Sequence, residues 1–133
     1  MLKYLGIYGA VFVSMVVIDI IWLRLIAVQW YADSMGPLLS NAPNLWAAAA
    51  FYLLFPLGLL IFAVFPTENA SIVKAVIMGA LFGFFAYATY DLTALAVIKG
   101  WPVGLTFLDI AWGSIVSGVS AGAGKFALDY LNK

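Results

Sequence analysis

The sequence contains no cysteine and no histidine. Without cysteine, the protein has no disulfide bond, no thiolate metal site and no dithiol redox pair. Without histidine, it lacks imidazole-ligated zinc or haem and the Ser-His-Asp system of nucleophilic catalysis. Charge is also scarce: charged residues make up 9% of the chain, and the net charge is zero. These absences predict no cofactor and no binding to nucleic acid.

What the sequence has in abundance is apolar residues, which account for 66% of its 133 residues and give a mean hydropathy of +1.10. Soluble domains average roughly 25% charged residues, so this composition is typical of the membrane class. Four apolar runs are each near the roughly 20 residues that a helix needs to cross a bilayer. We predict an all-α membrane protein, a single domain over residues 1–133. Its four transmembrane helices form a bundle and cover residues 4–26, 45–65, 71–98 and 103–124.

The ends of these helices also carry signals. A polar segment over residues 29–44 separates the first two helices. Asn44 and Ser71 are predicted N-caps, because their side-chain oxygens can accept hydrogen bonds from the first turn. Pro102 suits the first turn of the fourth helix, where its missing N–H costs nothing. The apolar run after Lys3 is longer than the roughly 7–15 residues of a signal-peptide core, so we expect a retained span.

Four spans place both termini on one side of the membrane. By the positive-inside rule, the lysines predict cytoplasmic termini. Those on the terminal side are Lys3, Lys74, Lys125 and Lys133, whereas Arg24 and Lys99 lie opposite. Trp30, Trp46 and Trp101 are predicted members of an interfacial aromatic belt.

The short sequence D-I-x-W occurs twice, at residues 19–22 on a helix going out and at residues 109–112 on a helix coming in. From the rise of 1.5 Å per residue, Asp19, Asp91 and Asp109 each lie about 10–12 Å from the outer end of their helix, so the predicted site is near the outer face of the membrane. An acid at the membrane centre costs roughly 2.5–3.5 kcal/mol, so three at one depth are expected to face inward. A structural network that holds the helices together is the alternative.

Aromatic residues at the same depth complete the predicted site. A tryptophan three residues after an aspartate shares its helix face, and a phenol can donate a hydrogen bond to a carboxylate. The predicted ligand-binding residues are Asp19, Trp22, Tyr52, Tyr87, Tyr90, Asp91, Asp109 and Trp112. Arg24 and Lys99 are predicted charge partners above them.

Small residues recur every four positions on two helices and permit close helix approach. They predict either packing inside the monomer or a homodimer interface. These residues are Ser114, Gly118 and Gly122 in the fourth helix, and Gly79 and Gly83 in the third.

The run YDLTALAVIKGWPVGLTFLDIAWGS, residues 90–114, resembles the signature region of an uncharacterised family of small bacterial four-span membrane proteins, a domain-of-unknown-function family. With DIIWL in the first helix, the resemblance covers the whole chain. It implies a four-helix bundle in the bacterial inner membrane and no established activity. The matching positions are Tyr90, Asp91, Leu92, Thr93, Gly100, Trp101, Pro102, Asp109, Trp112 and Gly113.

Three classes of function fit these features. The protein binds or transports a small cationic or amphiphilic ligand with proton coupling, because buried carboxyls and aromatic walls suit that task. It resembles small multidrug transporters in size and span count, although those rely mainly on one carboxylate in the first helix. Alternatively, it is a lipid-modifying enzyme whose aspartates hold Mg²⁺ or Mn²⁺, or an accessory subunit with a structural polar network. We favour the first, with membrane lipid as a partner.

Overall fold

A computed structural model describes residues 1–36 and 44–133 of the chain. Within these residues all regular structure is helical. The helices are α1 (Leu2–Ile21, continued by a π-helical turn Trp22–Ile26), α2 (Val28–Met35), α3 (Leu45–Leu59, continued by a π-helical turn Leu60–Val64 and a 3₁₀ turn Phe65–Thr67), α4 (Ile72–Val97) and α5 (Val103–Leu131).

Four continuous helical segments are long and apolar enough to cross a membrane. They confirm the predicted all-α, four-span architecture. The segments cover Leu2–Ile26, Leu45–Thr67, Ile72–Val97 and Val103–Leu131. The last one continues beyond the predicted end at residue 124, because Lys125 pairs with Asp129 one turn later and is buried instead of ending the helix in water.

The short helix α2 lies where the sequence indicated only a polar connection. Gln29 supports it by donating a hydrogen bond to Asp33 one turn later, with 2.7 Å between Nε2 and Oδ1. The rest of that connection, residues 37–43, lies outside the described residues. Helix α2 contacts α5, and this contact positions Tyr31 for the site described below.

The two predicted N-caps are confirmed. The Asn44 side chain accepts a hydrogen bond from the Ala47 N–H at 3.1 Å, and the Ser71 hydroxyl accepts one from the Lys74 N–H at 3.2 Å. Pro102 lies immediately before the first turn of α5, as its N-cap.

Helices α4 and α5 approach each other closely through small residues. A Cβ built at Gly79 would lie 2.4 Å from the Ala121 Cβ, and one at Gly83 would lie 2.2 Å from the Ser117 Oγ. Gly118 also faces α4. Gly122 does the same, next to Val76, and the Ser114 hydroxyl donates to the Ile110 carbonyl of its own helix. The small-residue faces therefore pack within the monomer, and their use in a homodimer stays a prediction.

The start of α1 and the end of α5 lie together, since the Leu131 side chain is next to Gly6. The helices α1 and α5 are therefore antiparallel neighbours. At this end, Lys125 is 1% exposed, and its Nζ lies 2.5 Å from Asp129 Oδ1 and 3.0 Å from the Glu68 carbonyl oxygen. The buried ammonium group thus joins α5 to the turn between α3 and α4.

Candidate ligand site

Asp19 of α1 accepts hydrogen bonds from two other helices. The Tyr52 hydroxyl of α3 donates to Asp19 Oδ2, and the Trp112 Nε1 of α5 donates to Asp19 Oδ1 at 2.9 Å. Asp19 is buried, so these two bonds supply the partners that water would otherwise provide. A single carboxylate thereby ties three membrane-spanning helices together.

Each D-I-x-W segment contributes a tryptophan that supports the aspartate of the other segment. Trp112 donates to Asp19, whereas Trp22 Nε1 lies 3.3 Å from the Tyr31 hydroxyl, which donates to Asp109 Oδ1 at 2.7 Å. The two indole rings stack with their centroids 4.4 Å apart and their planes 8° apart. Because α1 and α5 are antiparallel, the two copies face each other, and each tryptophan supports the aspartate of the other helix.

Tyr31 connects α2 to this network. Burial raises the pKa of its phenol above the ordinary value, and the neighbouring Asp109 carboxylate raises it further. Tyr31 therefore keeps its proton at physiological pH and acts as the donor to Asp109. This role could not be predicted from the sequence, because Tyr31 lies outside the apolar runs.

Asp91 of α4 differs from Asp19 in its partners. It is 2% exposed, yet its Oδ2 accepts no hydrogen bond from the described residues. Asp91 and Asp109 line one cavity of about 170 Å³. The other lining residues of this small cavity are Tyr31, Met35, Tyr90, Trp101 and Leu105.

A larger cavity of about 510 Å³ lies between α3, α4 and α5. It shares Tyr90 and Asp109 with the small cavity, so these two residues stand at the boundary between the two spaces. The remaining lining residues are Phe51, Phe55, Ala86 and Tyr87. Tyr90 is 59% exposed and Phe51 is 38% exposed, so the large cavity opens on the outer surface of the bundle.

Tyr87 lies directly against Gly113 of α5. A Cβ at Gly113 would come within 2.1 Å of the tyrosine ring, so only glycine leaves room for it. The ring also contacts Phe55 edge-on, with centroids 6.0 Å apart. Gly113 thus allows Tyr87 to reach between the helices as a wall of the large cavity.

The predicted site residues therefore fall into two connected groups. In the first group, Tyr52 and Trp112 donate hydrogen bonds to Asp19, and Trp22 stacks on Trp112 and donates to Tyr31 of α2. Tyr87, Tyr90, Asp91 and Asp109 line the cavities.

Sequence reasoning missed several lining residues and assigned one to another role. Phe51 and Phe55 are four residues apart on either side of Tyr52, and this spacing could have indicated their shared helix face. Trp101 was assigned to the interfacial belt, but it lines the small cavity and contacts the Tyr90 ring edge-on at 5.8 Å.

The cationic side chains lie apart from the aspartates of the site. Arg24 and Lys99 are both exposed, and within residues 1–36 and 44–133 the ion pair that forms joins Lys125 and Asp129. The role of Arg24 and Lys99 as charge partners stays a prediction. The described residues also contain no group of three or more acidic side chains able to hold a metal ion.

Comparison with known proteins gives one match. Searches among curated proteins and among solved structures found no significant similarity. A family model described as "Predicted membrane protein (DUF2177)" matches residues 4–126. This range includes Asp19, Asp91 and Asp109 and the lining residues of both cavities. The chain therefore belongs to this family of predicted membrane proteins of unknown function.

Proposed function

We propose that this integral membrane protein binds and transports a small cationic or amphiphilic ligand in exchange for protons. The observation that carries the proposal is the buried Asp91 carboxyl, whose Oδ2 lacks a hydrogen-bond partner among the described residues. Asp91 and Asp109 both line the small cavity. A polar group buried in this way is costly unless something satisfies it. A proton or a bound cation does so.

Competition between these two occupants supports coupling. Like charges on two neighbouring carboxyl groups repel each other in an apolar setting, so either a proton or a cation in the cavity stabilises the pair. A ligand cation favours the ionised form of both groups and therefore displaces that proton. Binding of a cation and release of a proton become one linked event.

The aromatic residues of the small cavity support a cationic ligand. Tyr90, Trp101 and Tyr31 surround the space beside the two carboxyls. A cation near the face of such rings gains an attraction of about 0.5–2 kcal/mol, depending on how completely it is desolvated. Trp22 and Trp112, in contrast, cover one ring face each by stacking, so we assign them to the support of the site.

A structural polar network is a second candidate role, and one observation favours it for Asp19 alone. Both oxygens of Asp19 have hydrogen-bond donors on other helices, which is the pattern of a structural group. The lipid-modifying enzyme has less support, because the described acidic residues do not gather into a group that would hold Mg²⁺ or Mn²⁺.

The membrane and the orientation are part of the proposal. We expect the bacterial inner membrane with cytoplasmic termini, membrane lipid around the bundle, and a homodimer through surfaces that include Ser114. Reporter fusions at each terminus test the orientation. Chemical crosslinking in native membranes tests the dimer, and a purely monomeric pattern there contradicts it.

Proton release on binding tests the function directly. Protein in lipid nanodiscs is placed in weakly buffered solution, and tetraphenylphosphonium is added while the pH and the bound cation are measured. Wild type is expected to bind the cation and to release protons in proportion. Asp91→Asn and Asp109→Asn are expected to lose most of this release. Asp33→Asn is the control, because Asp33 is exposed on α2 and contacts Gln29.

The outcomes separate the candidate roles. If wild type binds no cation at any pH, the transport proposal is wrong. If cation binding occurs but Asp91→Asn and Asp33→Asn behave identically, the two carboxyls are not the site. Native mass spectrometry of the same samples identifies any metabolite or lipid that leaves with the Asp91→Asn change.

A further inference from the structure

The two cavities differ in size and chemistry, and they meet at two residues. The small cavity, about 170 Å³, holds both carboxyl groups. The large cavity, about 510 Å³, is lined by aromatic rings and Ala86, and its one charged residue is Asp109, which stands at the boundary. One compartment therefore suits a charged group and the other suits an apolar one.

We infer that the ligand is an amphiphilic cation whose charged group occupies the small cavity and whose apolar part occupies the large one. This inference rests on the proposed function and names its ligand class. Charge complementarity selects the cation, since Asp91 and Asp109 both line the small cavity and no cationic side chain of the described residues forms an ion pair with either of them. The phenylalanine and tyrosine lining selects the apolar part.

The opening of the large cavity indicates the route of entry. Phe51 and Tyr90 are exposed on the surface of two membrane-spanning helices, so this opening faces lipid. An amphiphilic cation that partitions into the bilayer reaches the large cavity sideways. Its charged group then passes Tyr90 and Asp109 to reach Asp91.

Tyr90 acquires a specific role in this arrangement. Its ring lines both cavities and rests edge-on against Trp101, with centroids 5.8 Å apart. The ring therefore stands beside the junction of the charged and apolar parts of the ligand. Tyr90 is a positioning residue for the ligand, and Asp91 and Asp109 are the groups that meet its charge.

The test compares cations of one headgroup and increasing chain length. Tetramethylammonium and butyl-, hexyl- and octyltrimethylammonium are titrated into wild-type protein and into Ala86→Phe, both in nanodiscs of the same lipid. The phenylalanine fills part of the large cavity. The quantity of interest is the ratio of the two affinities at each chain length, because partition into the lipid cancels in that ratio.

The control is Ala96→Phe, which makes the same change on an exposed position of α4. Ala86→Leu is the milder second variant if Ala86→Phe does not fold. Burial of one methylene changes affinity by about threefold to fourfold. We therefore expect the wild-type to Ala86→Phe ratio to be near one for tetramethylammonium and to exceed tenfold for the octyl compound. Ala96→Phe should match wild type throughout.

Three results overturn the inference in different ways. In the first, the ratio stays near one at every chain length while Asp91→Asn still weakens the binding of all the cations. This result leaves the proposed function intact and removes the large cavity from the site. A complete lack of cation binding by wild type removes both proposals. A phospholipid that copurifies with wild type and is lost from Ala86→Phe, without any chain-length effect, assigns the large cavity to lipid.

Discussion

The helix pair α4–α5 consists of two stretches that use space in opposite ways. In one stretch, Gly79 and Gly83 pack so closely on Ala121 and Ser117 that an added Cβ would come within 2.4 Å of a neighbouring atom. In the other stretch, Asp91 and Asp109 stand beside cavities of about 170 and 510 Å³. Each helix therefore carries a closely packed half and an open half.

The comparison indicates how a small bundle can support an incompletely satisfied carboxyl. Close contact between α4 and α5 gains van der Waals attraction, which is a main source of helix association in a membrane. This attraction stabilises the pair and offsets the cost of the open half. Asp19 of α1 accepts a hydrogen bond from Trp112 in the open half of α5 and another from Tyr52. The lack of a partner therefore concerns Asp91 and not every buried acid.

The largest expected effect comes from breaking the closely packed half with Gly83→Leu. The new side chain collides with Ser117 and with the Gly113 carbonyl, so α4 and α5 must separate. We expect a loss of about 3 kcal/mol in the free energy of unfolding, measured by denaturant titration in detergent micelles. Gly9→Leu is the control, since a Cβ at Gly9 meets nothing within 4 Å. Equal losses in the two variants would contradict the close packing.

The next effect concerns Asp19 of α1, whose two carboxylate oxygens both accept hydrogen bonds. Asp19→Ala leaves the Tyr52 hydroxyl and the Trp112 Nε1 without their acceptor. We expect the free energy of unfolding to fall by about 2 kcal/mol in the same titration. Asp33→Ala, at an exposed aspartate, should change it by less than about 0.5 kcal/mol. If the two variants unfold together, Asp19 is not a structural group.

A smaller effect of opposite sign is expected for Asp91→Asn. A neutral amide is easier to bury than a carboxyl with an unpartnered oxygen, so stability should rise by roughly 1 kcal/mol. Cation binding should be lost in the same variant. Thermal unfolding of Asp91→Asn and Asp19→Asn side by side gives the measurement. A loss of stability in both would place Asp91 in the structural network and not in a ligand site.

The smallest effect is expected for Tyr31→Phe. The change removes one donor to Asp109 and the acceptor of the Trp22 N–H, while the ring stays in place. We expect a loss of about 0.5–1.5 kcal/mol by thermal unfolding. Tyr130→Phe is the matched control, because Tyr130 is exposed at the end of α5. A similar response of both variants would show that the Tyr31 hydrogen bonds contribute nothing to stability.

Most of the fold could be predicted from the sequence because a membrane span has a strong signature. Length, hydropathy and the caps at Asn44 and Ser71 fix where a spanning helix begins, and local interactions decide each of them. The short helix α2 could not be predicted in the same way. Its eight residues lie in a polar segment, and its place in the molecule depends on the contact with α5.

The site could be predicted only in part. The depth of Asp19, Asp91 and Asp109 follows from the helical rise, but their partners depend on how each helix is rotated about its axis. Periodicity gives no rotation between helices, so the sequence could not separate the satisfied Asp19 from the unpartnered Asp91. The buried position of Lys125 is a similar case, since its pairing with Asp129 and the Glu68 carbonyl makes it a structural group as well as a topology signal.

The stacked pair of Trp22 and Trp112 also makes the protein a reporter of its own state. Two indole rings with centroids 4.4 Å apart couple electronically, and this coupling contributes to the circular dichroism of the protein. One ring belongs to α1 and the other to α5. Any movement that separates these two helices would weaken that optical signal, so it can be followed without a dye or a label.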